Sequence, residues 1–594
     1  MKNKEDITAY IQSLRNMYPE NLPKGSELVK KGLEIGTTFE AGYNRFCLEN
    51  GYDNHIEYKK ECMREGKIVW EILLGLGTLD EQIQGIKDIY EFCQKLNFEM
   101  NVIQVIPSPV LALPKELRGQ APKTTSYLIN DFEDYKKHLE AAPLEIFFCD
   151  HHLVTPDAIN STINSIKAGS THVGEFSQFI WDHPGFNDDV KRYSDMVTSL
   201  GIMASKRDRF FVVESYLDDG FPGFCMDLVS YAAYAMLEKY ITVDLCGARY
   251  SCSFGGLLAE CESRMPLAMA LSELLATEDQ PGLSYINSST TKQWDHDIDA
   301  NYGFSVQEFL IEILCERKYR MGLGINPVSI TEALRVPTTQ ELCNILSAGM
   351  RLLENIEEWD KIIDWTLYEE KRDGIIKQAR IMFDNILKGF EAGGIDIKDP
   401  LQWLLILKKF NRSSFETMFH PSIDEFGEFR PYYPTELGRD TICKRDTIIG
   451  RMQADGLKDS LKKKKIVVAS ADTHTYGLNL VEGALKWAGA EVINGGLDIE
   501  PVEILDIADE ENTNIIGISA HNGQALGFAR NLKELAAARK KDYFVFMGGV
   551  LNGILPGHSE PSDVSDMINE LGIHADDDIE KTIRKLQNYK SCES

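Results

Sequence analysis

KKIVVASAD (464–472) opens the stretch that decides the fold. It is followed by LVEGALKWAGA (480–490), EVINGG (491–496), NIIGISA (514–520) and YFVFMGGV (543–550). Short β-branched runs ending in small or polar residues alternate here with segments of helical period. That alternation specifies a doubly wound parallel α/β domain of the Rossmann or flavodoxin type. The polar stretch QADGLKDSLKKKK (453–465) precedes it with a lysine run and no periodic apolar face, as a linker or boundary would. We place the C-terminal domain at 461–594, a linker at 436–460 and a larger N-terminal domain at 1–435.

The N-terminal part contains eight β-like runs, most of them separated by helical stretches: IVWEILLGL (68–76), NVIQVI (101–106), LEIFFCD (144–150), STHVGE (170–175), FFVVES (210–215), ITVDLCG (241–247), LSYINSS (283–289) and YRMGLGINPVS (319–329). Strand-then-helix units in this number predict a (β/α)8 TIM-type barrel, with chemistry at the C-terminal ends of its strands. A large open sheet is the alternative. A helical region is expected over 338–410. The segment FHPSIDEFGEFRPYYPTELG (419–438), rich in aromatics and proline, is expected to cross towards the second domain. No repeat of solenoid period is present.

The chain has 594 residues, 43% of them hydrophobic and 26% charged, an ordinary globular composition of multidomain size. Its net charge of −29 opposes non-specific binding to nucleic acid or anionic membranes. The 12 cysteines form no C-x-x-C pair, so reduced thiols are expected and zinc or iron–sulfur sites are not. The N-terminus lacks an apolar h-region, and the longest uncharged run, Met100 to Pro114, carries three prolines. Neither a signal peptide nor a membrane span fits, and a cytoplasmic location is expected.

Directly after the strand at 464–472 comes a D-x-H-x-x-G loop, Asp472, His474 and Gly477. Ligands of open α/β sheets bind at this edge. A histidine there can offer one ring nitrogen to a metal while a carboxylate fixes its tautomer through the other. Gly477 lets backbone approach a bulky ligand. Alone, the motif is equally an Asx-type turn with a surface histidine. Ser519 in GISAHNG and the pair Gly548-Gly549 in FVFMGGV lie at two further strand ends, in the order and spacing of one ligand site.

Together these residues resemble the cobalamin-binding domain shared by adenosylcobalamin-dependent mutases and methionine synthase. The resemblance implies His474 as lower cobalt ligand and Asp472 as its hydrogen-bonding partner. It also implies Ser519, Gly548 and Gly549 as walls of the slot for the cofactor's nucleotide tail. His521 departs from the leucine common at that place.

The upstream region resembles the catalytic subunit of glutamate mutase. Ala168-Gly169 followed by Glu175 and Pro184 matches its A-G-x5-E-x8-P stretch, and Glu332 to Thr338 (EALRVPT) matches its E-A-x-x-I-P-T. Gln293-Trp294 and Thr155-Pro156-Asp157 match shorter pieces. The match implies Glu175 as the carboxylate facing substrate, Glu332 on the adenosyl ribose, and Trp181 where that family has a substrate-contacting tyrosine.

Of the family's carboxylate-binding arginines, only the second has a nearby counterpart, Arg118. Their first place falls at Leu73-Leu74-Gly75 and the third at Cys149-Asp150-His151-His152, while the family lysine before Glu332 is Val328. Arg118, Arg249, His151 and His152 remain as candidate partners for a substrate carboxylate. A single chain joining such a barrel to a cobalamin domain resembles 2-methyleneglutarate mutase. The resemblance implies a radical carbon-skeleton isomerase acting on a small dicarboxylate, with adenosylcobalamin as cofactor, a dimer or tetramer as assembly, and a reactivating chaperone as plausible partner. Glutamate and acyl-CoA mutases are alternatives within this class. A corrinoid methyl carrier and a cobalamin sensor stand outside it, and no DNA-binding signature supports the sensor.

Overall fold

The computed structural model describes residues 4–119, 126–148, 150–183, 185–209, 211–282, 285–288, 297–332, 335–354, 356–422, 429–471, 475–496, 499–520, 525–553, 562–576 and 578–589. The chain divides into two compact units, Met1–Glu436 and Leu437–Ser594.

The first unit is built on eight parallel strands: β1 Val69–Leu74, β2 Val102–Val105, β3 Glu145–Phe148, β4 His172–Val173, β5 Val212–Tyr216, β6 Arg249–Ser253, β7 Tyr285–Ser288 and β8 Gly324–Pro327. Their hydrogen-bonded order is β6-β5-β4-β3-β2-β1-β8-β7. A helix follows each strand, from Leu79–Lys95 after β1 to Thr339–Leu353 after β8. Strands covered in this way carry near-continuous burial, as in VWEILL and EIFF. Register aligns Ile72, Ile103 and Ile146, all fully buried, as one apolar row against the surrounding helices.

One expectation is met in part and one is corrected. The sheet is curled, since residues at the ends of β1, β6 and β8 line one cleft. Among the described residues its ladder runs as a half-barrel from β6 round to β7, with no hydrogen-bonded pairing between those two strands. The sixth strand is not ITVDLCG. Residues Tyr240–Leu245 continue the helix Leu228–Lys239 as a π-turn, and the strand is the following RYSCS. The apolar run belongs to a buried helix end, a confusion that periodicity over so short a window cannot separate.

The helices Trp365–Ala392 and Pro400–Lys409 occupy the region expected to be helical. Helix Gly25–Gly36 crosses helix Asp189–Ala204 at Gly32 and Gly201. The segment after residue 428 is sewn to the first unit. Asp227 accepts the backbone N–H groups of Tyr432 and Tyr433 and meets His420 at 3.0 Å, and Glu416 accepts those of Met226 (2.7 Å) and Asp227 (3.0 Å). Residues 436–454, expected to be linker, form helix, and Met452, Leu457 and Leu461 are buried with Ile466 and Leu485 in the second unit.

That second unit has β9 Lys465–Ser470, β10 Glu491–Asn494, β11 Ile515–Ala520, β12 Phe544–Gly549, a hairpin of β13 Asn552–Gly553 with β14 Ser562–Asp563, and β15 His574–Ala575. The parallel order β10-β9-β11-β12-β15 is the flavodoxin-like one. Successive residues face opposite sides: Val467, Ile516, Ile518 and Val545 enter one core, and Ile466, Val468, Ile515 and Phe546 the other. Order reverses between β9 and β11, so the crevice beyond their C-terminal ends is the expected ligand edge.

Candidate functional site

Two sets of residues gather at strand ends, one in each unit. In the second unit, Ser470, Ser519 and Gly548 stand side by side in register at the ends of β9, β11 and β12. The Ser519 side chain is 4% exposed, and its Oγ has no hydrogen-bond partner among the described residues. A hydroxyl buried this way is destabilising unless something else meets it. Gly549 has φ of +103°, which any side chain would strain. At Gly548 a Cβ would sit 3.1 Å from the Asp576 carbonyl oxygen. The result is a bare shelf beside an unmatched polar atom, which fits a bulky polar cofactor tail. Gly477 lies in the first turn of helix Thr475–Trp487 and is half-buried. Asp472, His474 and His521 lie outside the described residues.

In the first unit, a cavity of about 190 Å³ is lined from the C-terminal ends of β1, β2, β5 and β6 and the loops after β3, β4 and β8. Leu73, Gln104 and Ile106 form one wall and Val328 another, with Tyr216, Ser253 and Gly256 opposite. Four carboxylates complete the lining: Asp150, Glu175, Asp219 and Glu332. Glu175 is 1% exposed. One of its oxygens accepts the Tyr216 N–H, while Oε1 is buried without a partner among the described residues. Burial first, and then the charges of Glu214, Asp150 and Asp219, hold its carboxyl well above the usual range. Gln178, itself buried, donates its amide to Asp150 at 2.9 Å and to Asp219 at 3.0 Å. Burial pushes Asp219 up to about 7 against that hydrogen bond.

Strands β1 and β8 also carry buried polar residues further from their C-terminal ends. Asn326 donates to Glu71 at 3.3 Å, and burial lowers Lys59, whose charge is felt by Glu214, Glu316 and Glu71, to about 8. The rim is fixed by Asp218, which accepts the N–H groups of Gly255 (3.1 Å) and Leu257 (3.0 Å). Arg264, fully buried, binds the Gly255 and Leu258 carbonyls and pairs with Glu312 at 2.7 Å and Glu308 at 3.1 Å.

Glu175 and Glu332 thus meet in one cleft, whereas the other sequence-derived candidates stand apart from it. Trp181 is 37% exposed and donates its indole N–H to the Asp219 carbonyl at 3.2 Å, behind the lining. His151 takes a left-handed φ of 62° next to Trp181. His152 packs on Tyr135 and Phe148, and its Nδ1 meets the Asp150 carbonyl at 2.6 Å; burial lowers it to about 3, so it is neutral.

The structure corrects the two arginines. Arg118 lines a separate hollow of about 740 Å³, where three backbone carbonyls and Asp157 (3.3 Å) take up its guanidinium. Arg249 is the first residue of β6, at the opposite end of the sheet from the cleft, and is paired with Asp279 at 2.7 Å. Pro184, Cys149, Gln293 and Trp294 lie outside the described residues. Asp150 and Asp219 were missed as lining groups, though an acidic residue one to three positions beyond a barrel strand was the available signal.

Residues 463–565 match the family model described as the B12 binding domain. Over 103 residues, 17% of this chain and 69% of the relative, the sequence is 31% identical to the 2-hydroxyisobutanoyl-CoA mutase small subunit of Aquincola tertiaricarbonis. Among solved structures, a cobalamin-binding protein from Desulfitobacterium hafniense DCB-2 is 19% identical, covering 26% of this chain and 82% of its own, with a TM-score of 0.19. The carboxyl transferase domain of Rhizobium etli pyruvate carboxylase, with pyruvate and biocytin, is 11% identical over 79% of this chain and 82% of its own, with a TM-score of 0.28. At these scores neither structural likeness bears on the chemistry.

Proposed function

The chain belongs to the cobalamin-dependent mutase family by its B12-binding domain, and from that premise we propose that it is an adenosylcobalamin-dependent radical isomerase whose substrate sits in the first unit's cleft. The observation that carries the reading is the pairing, within one chain, of a B12-binding domain with a strand-end cleft lined by Glu175 and Glu332. Corrinoid methyl carriers need no such second cleft.

His474 would hold the cobalt, with Asp472 orienting its imidazole. Ser519, Gly548 and Gly549 would flank the nucleotide tail, and Glu332 would take the adenosyl ribose. When bound, the cofactor supplies a weak cobalt–carbon bond whose homolysis starts radical chemistry. This chain's residues have the other tasks. Leu73, Ile106 and Val328 keep water from the reacting carbons, and the bound Tyr216 amide and the bridging Gln178 hold the carboxylates of Glu175, Asp150 and Asp219 in place. Glu175, with one oxygen free, is the group placed to orient substrate through a hydrogen bond.

The small dicarboxylate expected by resemblance has no arginine, lysine or histidine to meet it among the described lining residues. The relative's name includes a coenzyme A ester, but its match lies in the cofactor domain and carries no substrate with it. Electron paramagnetic resonance of protein loaded with cob(II)alamin tests the ligand assignment. Growth on ¹⁵N-histidine should turn the nitrogen splitting from a triplet into a doublet, and His474→Gly should abolish it. An unchanged spectrum in His474→Gly removes the assignment.

A further inference from the structure

The cleft in the first unit departs from what its resemblance leads one to expect, and the departure is chemical. Where the resemblance leads one to expect an arginine the chain has Leu73-Leu74-Gly75, and where it leads one to expect a lysine it has Val328; Leu73 and Val328 both line the cavity. Asp150, Glu175, Asp219 and Glu332 supply the charge, and no cationic side chain answers them among the described lining residues. Resting on the mutase reading above, we propose that the substrate of this cleft is a small organic amine held through its ammonium group.

An acidic cluster alone would not select a ligand. Here one member is committed: Glu175 is 1% exposed, its Oε2 is taken by the Tyr216 amide, and its Oε1 is buried in the lining with no partner among the described residues. A carboxyl in that state is pushed towards its neutral form, and a partner carrying positive charge is the one that best offsets the desolvation of the ionised form. Gln178 holds Asp150 and Asp219 on the same cavity, so the ammonium would meet carboxylates fixed before it arrives.

A metal ion fits less well, because no group of three or more His, Cys, Asp or Glu able to hold one exists among the described residues. A neutral polyol would satisfy hydrogen bonds but leave the mutual repulsion of neighbouring carboxylates in place, the repulsion that contributes to the raised Glu175 and Asp219. Leu73, Ile106 and Val328 give a short hydrocarbon chain its seat. At about 190 Å³ the cavity is smaller than the roughly 300–1,000 Å³ of pockets for drug-sized ligands, so the amine is a small one.

A matched four-carbon series tests this: butane-1,4-diamine, butane-1,4-diol and succinate differ in charge on one skeleton. Each is titrated calorimetrically into the full-length protein, with and without cobalamin. The diamine should bind at least ten-fold more tightly than the diol, and succinate should not bind. Glu175→Gln and Asp219→Asn, each checked for unchanged circular dichroism, should weaken the diamine ten-fold or more while leaving cobalamin affinity alone. If one does not fold, the other and Asp150→Asn decide. Failure of the diamine to bind, a diol or succinate of equal affinity, or diamine binding unmoved by the substitutions overturns the proposal. The last result would mean that the net charge of −29 attracts the cation non-specifically. Cobalamin uptake, followed by absorbance on the same samples, reports separately on the mutase reading.

Discussion

Arg264 shows how much of this site depends on side chains that touch no ligand. Its guanidinium joins the loop carrying Gly256 to two glutamates of helix Ile298–Tyr319, with every partner buried. Replacing it by methionine leaves Glu308 and Glu312 without their counter-ion, and Arg264→Met should cost about 3–5 kcal/mol in urea unfolding. A loss below 1 kcal/mol would mean that the carboxylates find another partner. Glu238 gives a second test. It is buried, accepts hydrogen bonds from Ser177, Ser215 and Tyr250 at 2.7 Å each, and burial pushes its carboxyl up to about 7. The folded chain therefore holds a proton that the unfolded chain loses near the ordinary 4.5, and this stability is present at low pH and lost as pH rises to 7. Wild type should exceed Glu238→Gln by more at pH 5 than at pH 8, and equal margins at both would contradict this. At this scale the sequence was only half legible. Motif resemblance picked out Glu175 and Glu332, which line one cavity, while Arg118 and Arg249 were chosen because arginines bind carboxylates. A sequence does not reveal that carbonyls have already taken up a guanidinium.

Among the elements, the crossing of helices Gly25–Gly36 and Asp189–Ala204 is the tightest to justify. A Cβ on Gly201 would lie 2.3 Å from the Val29 carbonyl oxygen, and one on Gly32 2.1 Å from that of Thr198. Backbone cannot give way as a flexible side chain would, so Gly201→Ala should destabilise by about 1–3 kcal/mol. An unchanged melting temperature would show that the helices can separate at no cost. Seven of the eight strands of the first unit were placed from their β-branched runs, because burial on both faces leaves a dense apolar signature. β6 was not, since RYSCS points polar atoms inward and reads as loop, while the neighbouring ITVDL reads as strand. In the second unit the first four strands and the helices between them were legible, whereas the short hairpin β13–β14 and the two-residue strand β15 carry too few apolar residues to read. The segment 436–460 was misread because its apolar residues are few and widely spaced, yet Met452, Leu457 and Leu461 are buried.

For the molecule as a whole, the second unit has apolar cores on both faces of its own sheet. Residues 437–594 expressed alone should fold cooperatively and take up cobalamin, followed by absorbance and thermal unfolding. A molten fragment would show that these cores are insufficient by themselves. No helix among the described residues is long and apolar enough to cross a membrane. The chain leaves the first unit through residues 429–436, whose backbone is stitched to Asp227 and to Met226. The loop between β5 and helix Leu228–Lys239 that holds these anchors also holds Asp218 and Asp219. Tension applied along the chain from residue 437 onward would therefore be delivered first to the loop that carries an acidic wall of the cleft. That strap is a load path, and its stiffness sets how far a tug travels before it is felt as a change in the spacing of charges.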